Sequence, residues 1–181
     1  MVFRSKLWVV SSVIISVFIF GCKDNTAASN AAETVKKSSV EKSNNLNLYL
    51  DGYFHVDNEI KLTFKDFEGT DSIVKKIKGM PNNWQRVEFN FPEETIPYTF
   101  NLSFLDKRQS QINLDKIVLN RENDRIIIKD SALLVYFQLK NFTHKFEGDK
   151  LILNKKENTV VSQLVAKENL TSRVGNRYKN N

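Results

Sequence analysis

Three features of the 181-residue chain predict an all-β domain, a two-sheet β-sandwich of jelly-roll type with eight or nine short strands. From Leu46 onward, apolar and polar residues alternate with period two over successive short runs, the pattern of strands buried on one face. Gly, Pro, Asn and Asp clusters separate the runs at hairpin spacing. Only one stretch, near residues 131–137, has a helical pattern.

The first run is Leu46 to Phe54, with Leu46, Leu48 and Leu50 on one face and Asn47, Tyr49 and Asp51 on the other. Ile60, Leu62 and Phe64 repeat the alternation, and Glu68 to Asp71 turns the chain into a third strand from Ile73 to Ile77. Gly79-Met80-Pro81-Asn82-Asn83 breaks the pattern. Trp84 to Phe91 then sets Gln85, Val87, Phe89 and Phe91 against Arg86, Glu88 and Asn90, and Tyr98 to Leu105 alternates Phe100, Leu102 and Phe104. Ile112 and Leu114, then Ile117 and Leu119, change phase around Asp115-Lys116, which predicts a β-bulge. A polar turn over Arg121 to Asp124 leads into Ile126 to Ile128. Asp130 or Ser131 is placed to cap a helix over Ala132 to Phe137. Phe142–Phe146 and Leu151–Leu153 flank Glu147-Gly148-Asp149-Lys150, a hairpin turn, and Val160 to Val165 forms a last strand. The domain is expected to span 46–170, with 171–181 a disordered basic tail.

The segments before the domain read as an address and a tether. Arg4 and Lys6 precede an uncharged apolar and serine run from Leu7 to Phe20, with Gly21 ahead of Cys22, the only cysteine. That is the layout of a signal peptide over 1–21, and the run is short for a membrane span of about 20 residues. Ile19-Phe20-Gly21-Cys22 resembles the lipobox of bacterial lipoproteins. The resemblance implies cleavage before Cys22, acylation of its thiol and amino terminus, and a lipid anchor in the cell membrane or outer membrane facing periplasm or cell surface. An uncleaved single-pass anchor is the competing arrangement. From Cys22 to Asn45 the chain is small and polar, too poor in apolar surface to offset its ordering entropy, and reads as a flexible tether. Lys23-Asp24 is similar to a surface-sorting signal of some Gram-negative lipoproteins, and a solvated linker start is the simpler account.

Charge and chemistry narrow the function classes. The chain has 27 Lys+Arg against 21 Asp+Glu, dispersed rather than clustered, which disfavours a nucleic-acid role. With no cysteine beyond Cys22, no internal disulfide is available. His55 and His144 lie far apart in sequence, and Asp57, Glu59, Asp66, Glu68 and Asp71 match no calcium-loop spacing, so no metal or cofactor is expected. No nucleophile–base constellation or phosphate loop is present in the spacing, so a non-catalytic role is expected, with a hydrolase as the minor alternative. Asn101, Asn141 and Asn169 begin glycosylation-like triplets, an uncommon modification in the bacterium a lipobox implies. Asp71-Ser72-Ile73 and Asp130-Ser131-Ala132 resemble a short bacterial O-glycosylation motif, and Ser72 is the candidate because Ser131 is read as a cap.

A second resemblance covers roughly Leu46 to Leu153. The runs Leu48-Tyr49-Leu50-Asp51-Gly52-Tyr53-Phe54, Asp57 to Leu62, Trp84-Gln85-Arg86-Val87-Glu88-Phe89, Ile112 to Leu119 and Ile126 to Lys129 are similar to carbohydrate-binding-module-like jelly-roll domains appended to bacterial membrane glycosyltransferases. It implies a sandwich and an envelope-glycan context, with no catalytic residue to carry over. Tyr49, Tyr53 and Trp84, with Gln85 and Arg86 nearby, are the candidate glycan-binding residues, because out-of-phase aromatics can stack on sugar rings while polar neighbours hold hydroxyls. Tyr98 is a further rim candidate. The other class of function is a structural or protein-interaction lipoprotein whose sandwich edge or face docks a membrane complex.

Overall fold

A computed structural model describes residues 44–105 and 111–179. The leader, Cys22 and the tether up to residue 43 lie outside the described residues, so those expectations stay with the sequence.

The described chain is a two-sheet β-sandwich. Its strands are β1 (Asn47–Phe54), β2 (Asn58–Lys65), β3 (Thr70–Ile77), β4 (Gln85–Asn90), β5 (Thr99–Phe104), β6 (Gln111–Arg121), β7 (Asp124–Lys129), β8 (Phe137–Lys140), β9 (Phe142–Glu147), β10 (Lys150–Lys155) and β11 (Ser162–Ala166). Helix α1 (Ala132–Tyr136) precedes β8, and α2 (Glu168–Tyr178) follows β11. One sheet runs β4-β1-β6-β10-β9 with β7 also on β6, and the other runs β3-β2-β5-β11-β8. Every pairing is antiparallel.

The alternation predicts the buried face correctly. Leu48, Leu50, Ile60, Leu62, Phe89, Phe100 and Leu102 are all buried in one apolar cluster between the sheets. Aromatic pairs knit the two layers, with Phe64 and Phe91 edge-to-face at 5.0 Å and Phe104 and Phe142 at 5.7 Å. The bulge is where the phase change put it: Asp51 faces Lys116 while Gly52 faces Leu114, which leaves Asp115 as the extra residue. Gly52 is required there, since a Cβ would lie 2.5 Å from the Asn113 carbonyl oxygen. Gly148, at φ +62°, makes the β9–β10 turn with Asp149.

Three expectations are corrected. There are eleven strands among the described residues rather than eight or nine; one that no alternating run marks is β8, since Phe137 is already extended and the chain leaves α1 directly into it. Four residues carry little local strand signal; β11 supplies the ladder that makes them one. Neither Asp130 nor Ser131 caps α1 through a side chain, because Ser131 has helical backbone angles and the main-chain carbonyls of Asp130 and Ser131 accept the amides of Leu133 and Leu134 instead. The third concerns the tail. Residues 171–178 are helical, and Leu170, Thr171, Val174 and Tyr178 are buried along one face of α2. Their spacing of three to four residues is a helical stripe that the surrounding Asn, Arg and Lys residues mask in composition. Tyr178 is the largest of the fully buried side chains. Its hydroxyl lies 3.1 Å from the Leu119 carbonyl and 3.3 Å from that of Asp124, while Arg177 grips the Asp124 carboxylate with Nε at 2.7 Å. That guanidinium holds the Asp124 carboxyl below its usual range.

Candidate functional site

The candidate aromatics meet on the outward face of the first sheet. Because β1 alternates, Tyr49, Asp51 and Tyr53 face away from the core formed by Leu48, Leu50 and Phe54. Antiparallel pairing with β4 sets Arg86 directly opposite Asp51 and Glu88 opposite Tyr49. Two charge-assisted hydrogen bonds join the first pair: Arg86 Nε donates to Asp51 Oδ1 and Nη2 to Oδ2, both at 2.8 Å. The clamped guanidinium stacks on Tyr49 with 5.0 Å to the ring centroid and on Trp84 with 5.4 Å. Hydrogen bonding to Asp51 raises the pKa of Arg86 above its already high value, so the cation is permanent.

Asp51 is the structural centre of this group. Its side chain is 0 % exposed, yet its two oxygens hold Arg86, and Oδ2 also lies 3.7 Å from Lys116 Nζ. A buried carboxylate is tolerated only with such partners. The β6 bulge brings Lys116 within reach of both Asp51 and Asp115, the latter at 3.4 Å. Farther along, Lys150, the first residue of β10, stands 4.6 Å over the ring of Tyr53. Trp84 remains 44 % exposed. Arg86, Lys116 and Lys150 share this surface with Asp51, Asp115 and Glu88, so it combines aromatic rings with charges of both signs.

Gln85 does not belong to this surface. It is in phase with Val87 and Phe89, so it turns toward the opposite side of β4 from Arg86, and its amide nitrogen is buried without a hydrogen bond among the described residues. A period-two strand places neighbours on opposite faces, and proximity to Arg86 in sequence therefore argued against the pairing. Tyr98 is also elsewhere, 6.0 Å from the highly exposed Phe67 and beneath Lys65. Ser72 is exposed, within strand β3. Cys22 lies outside the described residues. Lys116 and Lys150 escaped the sequence reading; the bulge signal at Asp115-Lys116 was the only local hint of the first, and the second arrives through a turn about a hundred residues from β1.

The other polar candidates serve the main chain. Asp57 accepts the amide of Gly79 at 2.8 Å, Asp66 those of Glu68 and Gly69, and Asp71 that of Ser72. Asn141 and Asn169 donate their side-chain amides to the carbonyls of Val161 and Val135. Among the described residues, no group of three or more His, Cys, Asp and Glu side chains is placed to hold a metal ion. No helix among them is long and apolar enough to cross a membrane.

No protein-family model, curated protein or solved structure matches the chain.

Proposed function

We propose that this chain is a lipid-anchored lipoprotein of the cell envelope whose sandwich is a non-catalytic glycan-binding or glycan-assembly accessory module. The observation that carries the reading is the row Trp84–Arg86–Tyr49, in which an exposed indole and a phenol flank a guanidinium fixed by buried Asp51. Rings offer stacking surface for pyranoses, and fixed polar groups between them offer hydrogen bonds to hydroxyls. Arg86 commits Nε and Nη2 to Asp51, which leaves Nη1 without a partner among the described residues and able to donate to a ligand oxygen. Because the guanidinium in this row is already paired with Asp51, the row suits a neutral, hydroxyl-rich saccharide, and binding should vary little with salt.

Trp84→Ala is expected to abolish binding to envelope polysaccharide while leaving the unfolding transition nearly in place, because the residue is far from fully buried. Glycan-array binding and thermal unfolding on the same purified protein check this. A loss of about 3 to 5 kcal/mol in stability would instead mark Trp84 as a packing residue. If the parent protein binds nothing across a broad array of envelope saccharides, the glycan reading falls.

The anchor has its own test. Cys22→Ser is expected to abolish fatty-acid labelling and to release the protein from membranes or stall its processing, since two or three acyl chains hold far more firmly than one. A variant that stays membrane-bound with its leader intact, from a parent that was never labelled, would favour the uncleaved anchor.

A further inference from the structure

The strand at the open end of the second sheet is self-complementary. β3 is paired on one side only, by β2, and its eight residues make it longer than the other outermost strands β4, β7, β8 and β9. Its register with β2 runs without a shift from Thr70 to Ile77, and it contains neither glycine nor proline. Of the usual protections of an edge, β3 has no bulge, no proline and no shortness of length; the one it carries is charge, in Asp71, Lys75 and Lys76. Apart from Ile73 and Ile77, which are partly buried against the core, its residues are exposed.

Any second copy of β3 added antiparallel to this edge must keep core-facing residues on the core side. Odd-numbered residues can then lie opposite only odd-numbered ones, because a one-residue slip turns every side chain to the other face. Among the registers that satisfy this, the one centred on Ile73 sets Asp71 opposite Lys75 twice, once on each side of the two-fold axis. The same register sets Ser72 opposite Val74 and Thr70 opposite Lys76, and uses seven of the eight residues. Shifting the centre to Lys75 would oppose two lysines, and centring on Ser72 or Val74 forms no opposite-charge pair. Neither Asp71 nor Lys75 is in an ion pair among the described residues. Asp71 accepts only the adjacent Ser72 amide.

We propose that β3 is a homodimerisation edge: two copies of this chain join β3 to β3 about a two-fold axis at Ile73, with Asp71–Lys75 pairs across the seam, to make one continuous sheet from the two five-stranded ones. Main-chain hydrogen bonds hold the strands and the paired charges select the register. The partner is a second copy because the acid and the base sit symmetrically about Ile73, so one chain supplies both halves of the complement.

The full-length protein, solubilised in detergent, is tested by sedimentation and by co-purification of differently tagged copies. The parent is expected to self-associate. Asp71→Lys and Lys75→Asp, each of which creates two like-charge pairs, are each expected to weaken self-association about tenfold. Mixed together, the two variants should recover it, since one copy then carries lysine at both positions and the other aspartate at both, and every pair across the seam is again of opposite charge. The double variant D71K/K75D restores opposite charges within one chain and should pair like the parent, which separates a lost interface from a misfolded domain. A monomeric parent overturns the proposal. So does self-association that both single variants retain, or failure of both the mixture and the double variant to recover it. None of these outcomes depends on glycan binding.

Discussion

Cutting the chain after Leu170 is expected to destabilise the sandwich severely, and Tyr178→Ala to cost about 3 kcal/mol or more, although both changes lie in a segment whose composition reads as a tail. The truncation removes Val174 and Tyr178, which are 0 % and 1 % exposed, and uncovers the apolar surface they bury. The alanine substitution leaves a cavity of phenol size and strips the hydroxyl from the Leu119 and Asp124 carbonyls. Losses of this size are a large share of a typical total stability of about 5 to 15 kcal/mol. Burial, reinforced by the Asp124 carboxylate, pushes the phenol of Tyr178 up to about 12 from its ordinary 10.0. The folded state therefore holds this proton more tightly than the unfolded chain. Its contribution is complete below pH 10 and is lost as pH rises from there through about 12. Denaturant unfolding of the parent, the truncation and Tyr178→Ala measures the first two effects, and repeating it on parent and Tyr178→Phe at alkaline pH isolates the third. A truncated protein as stable as the parent would show that α2 does not belong to the core.

Phe89→Ala and Phe100→Ala are each expected to cost about 3 to 5 kcal/mol. They probe the two sheets separately, since Phe89 lies in β4 opposite Leu48, and Phe100 lies in β5 opposite Phe64. Both are essentially inaccessible to solvent, and Phe100 also meets Phe137 of β8 edge-to-face at 6.1 Å. Phe100→Ala should therefore disturb the packing beneath the second sheet's far edge as well as its centre. The two sites belong to different layers without a shared ring contact, so their costs should add closely in the double variant. Near-neutral unfolding midpoints for both would overturn the alternation from which these faces were read.

Strand existence and the buried face were legible because period-two alternation is a local signal, read over about five to eight residues at a time. Leu48, Leu50, Ile60, Phe89 and Phe100 needed no partner to declare their side, and the phase change at Asp115-Lys116 marked the bulge before any neighbour was known. The leader and Cys22 also rest on sequence pattern alone. What the chain could not declare locally was partnership. β8 is a strand because β11 lies beside it, and α2 is a helix whose apolar stripe finds the end of the sandwich. Tyr49, Trp84 and Arg86 could be named as aromatic and polar candidates, but the Asp51–Arg86 clamp exists only because β1 and β4 pair antiparallel in one register, across a separation of 35 residues. That register also separates Gln85 from Arg86 and draws Lys116 from β6 to the same carboxylate. Sequence determined which residues turn inward, because hydrophobic burial acts residue by residue. Tertiary structure alone decided which outward residues meet and which strand is left at an edge, because both depend on long-range pairing.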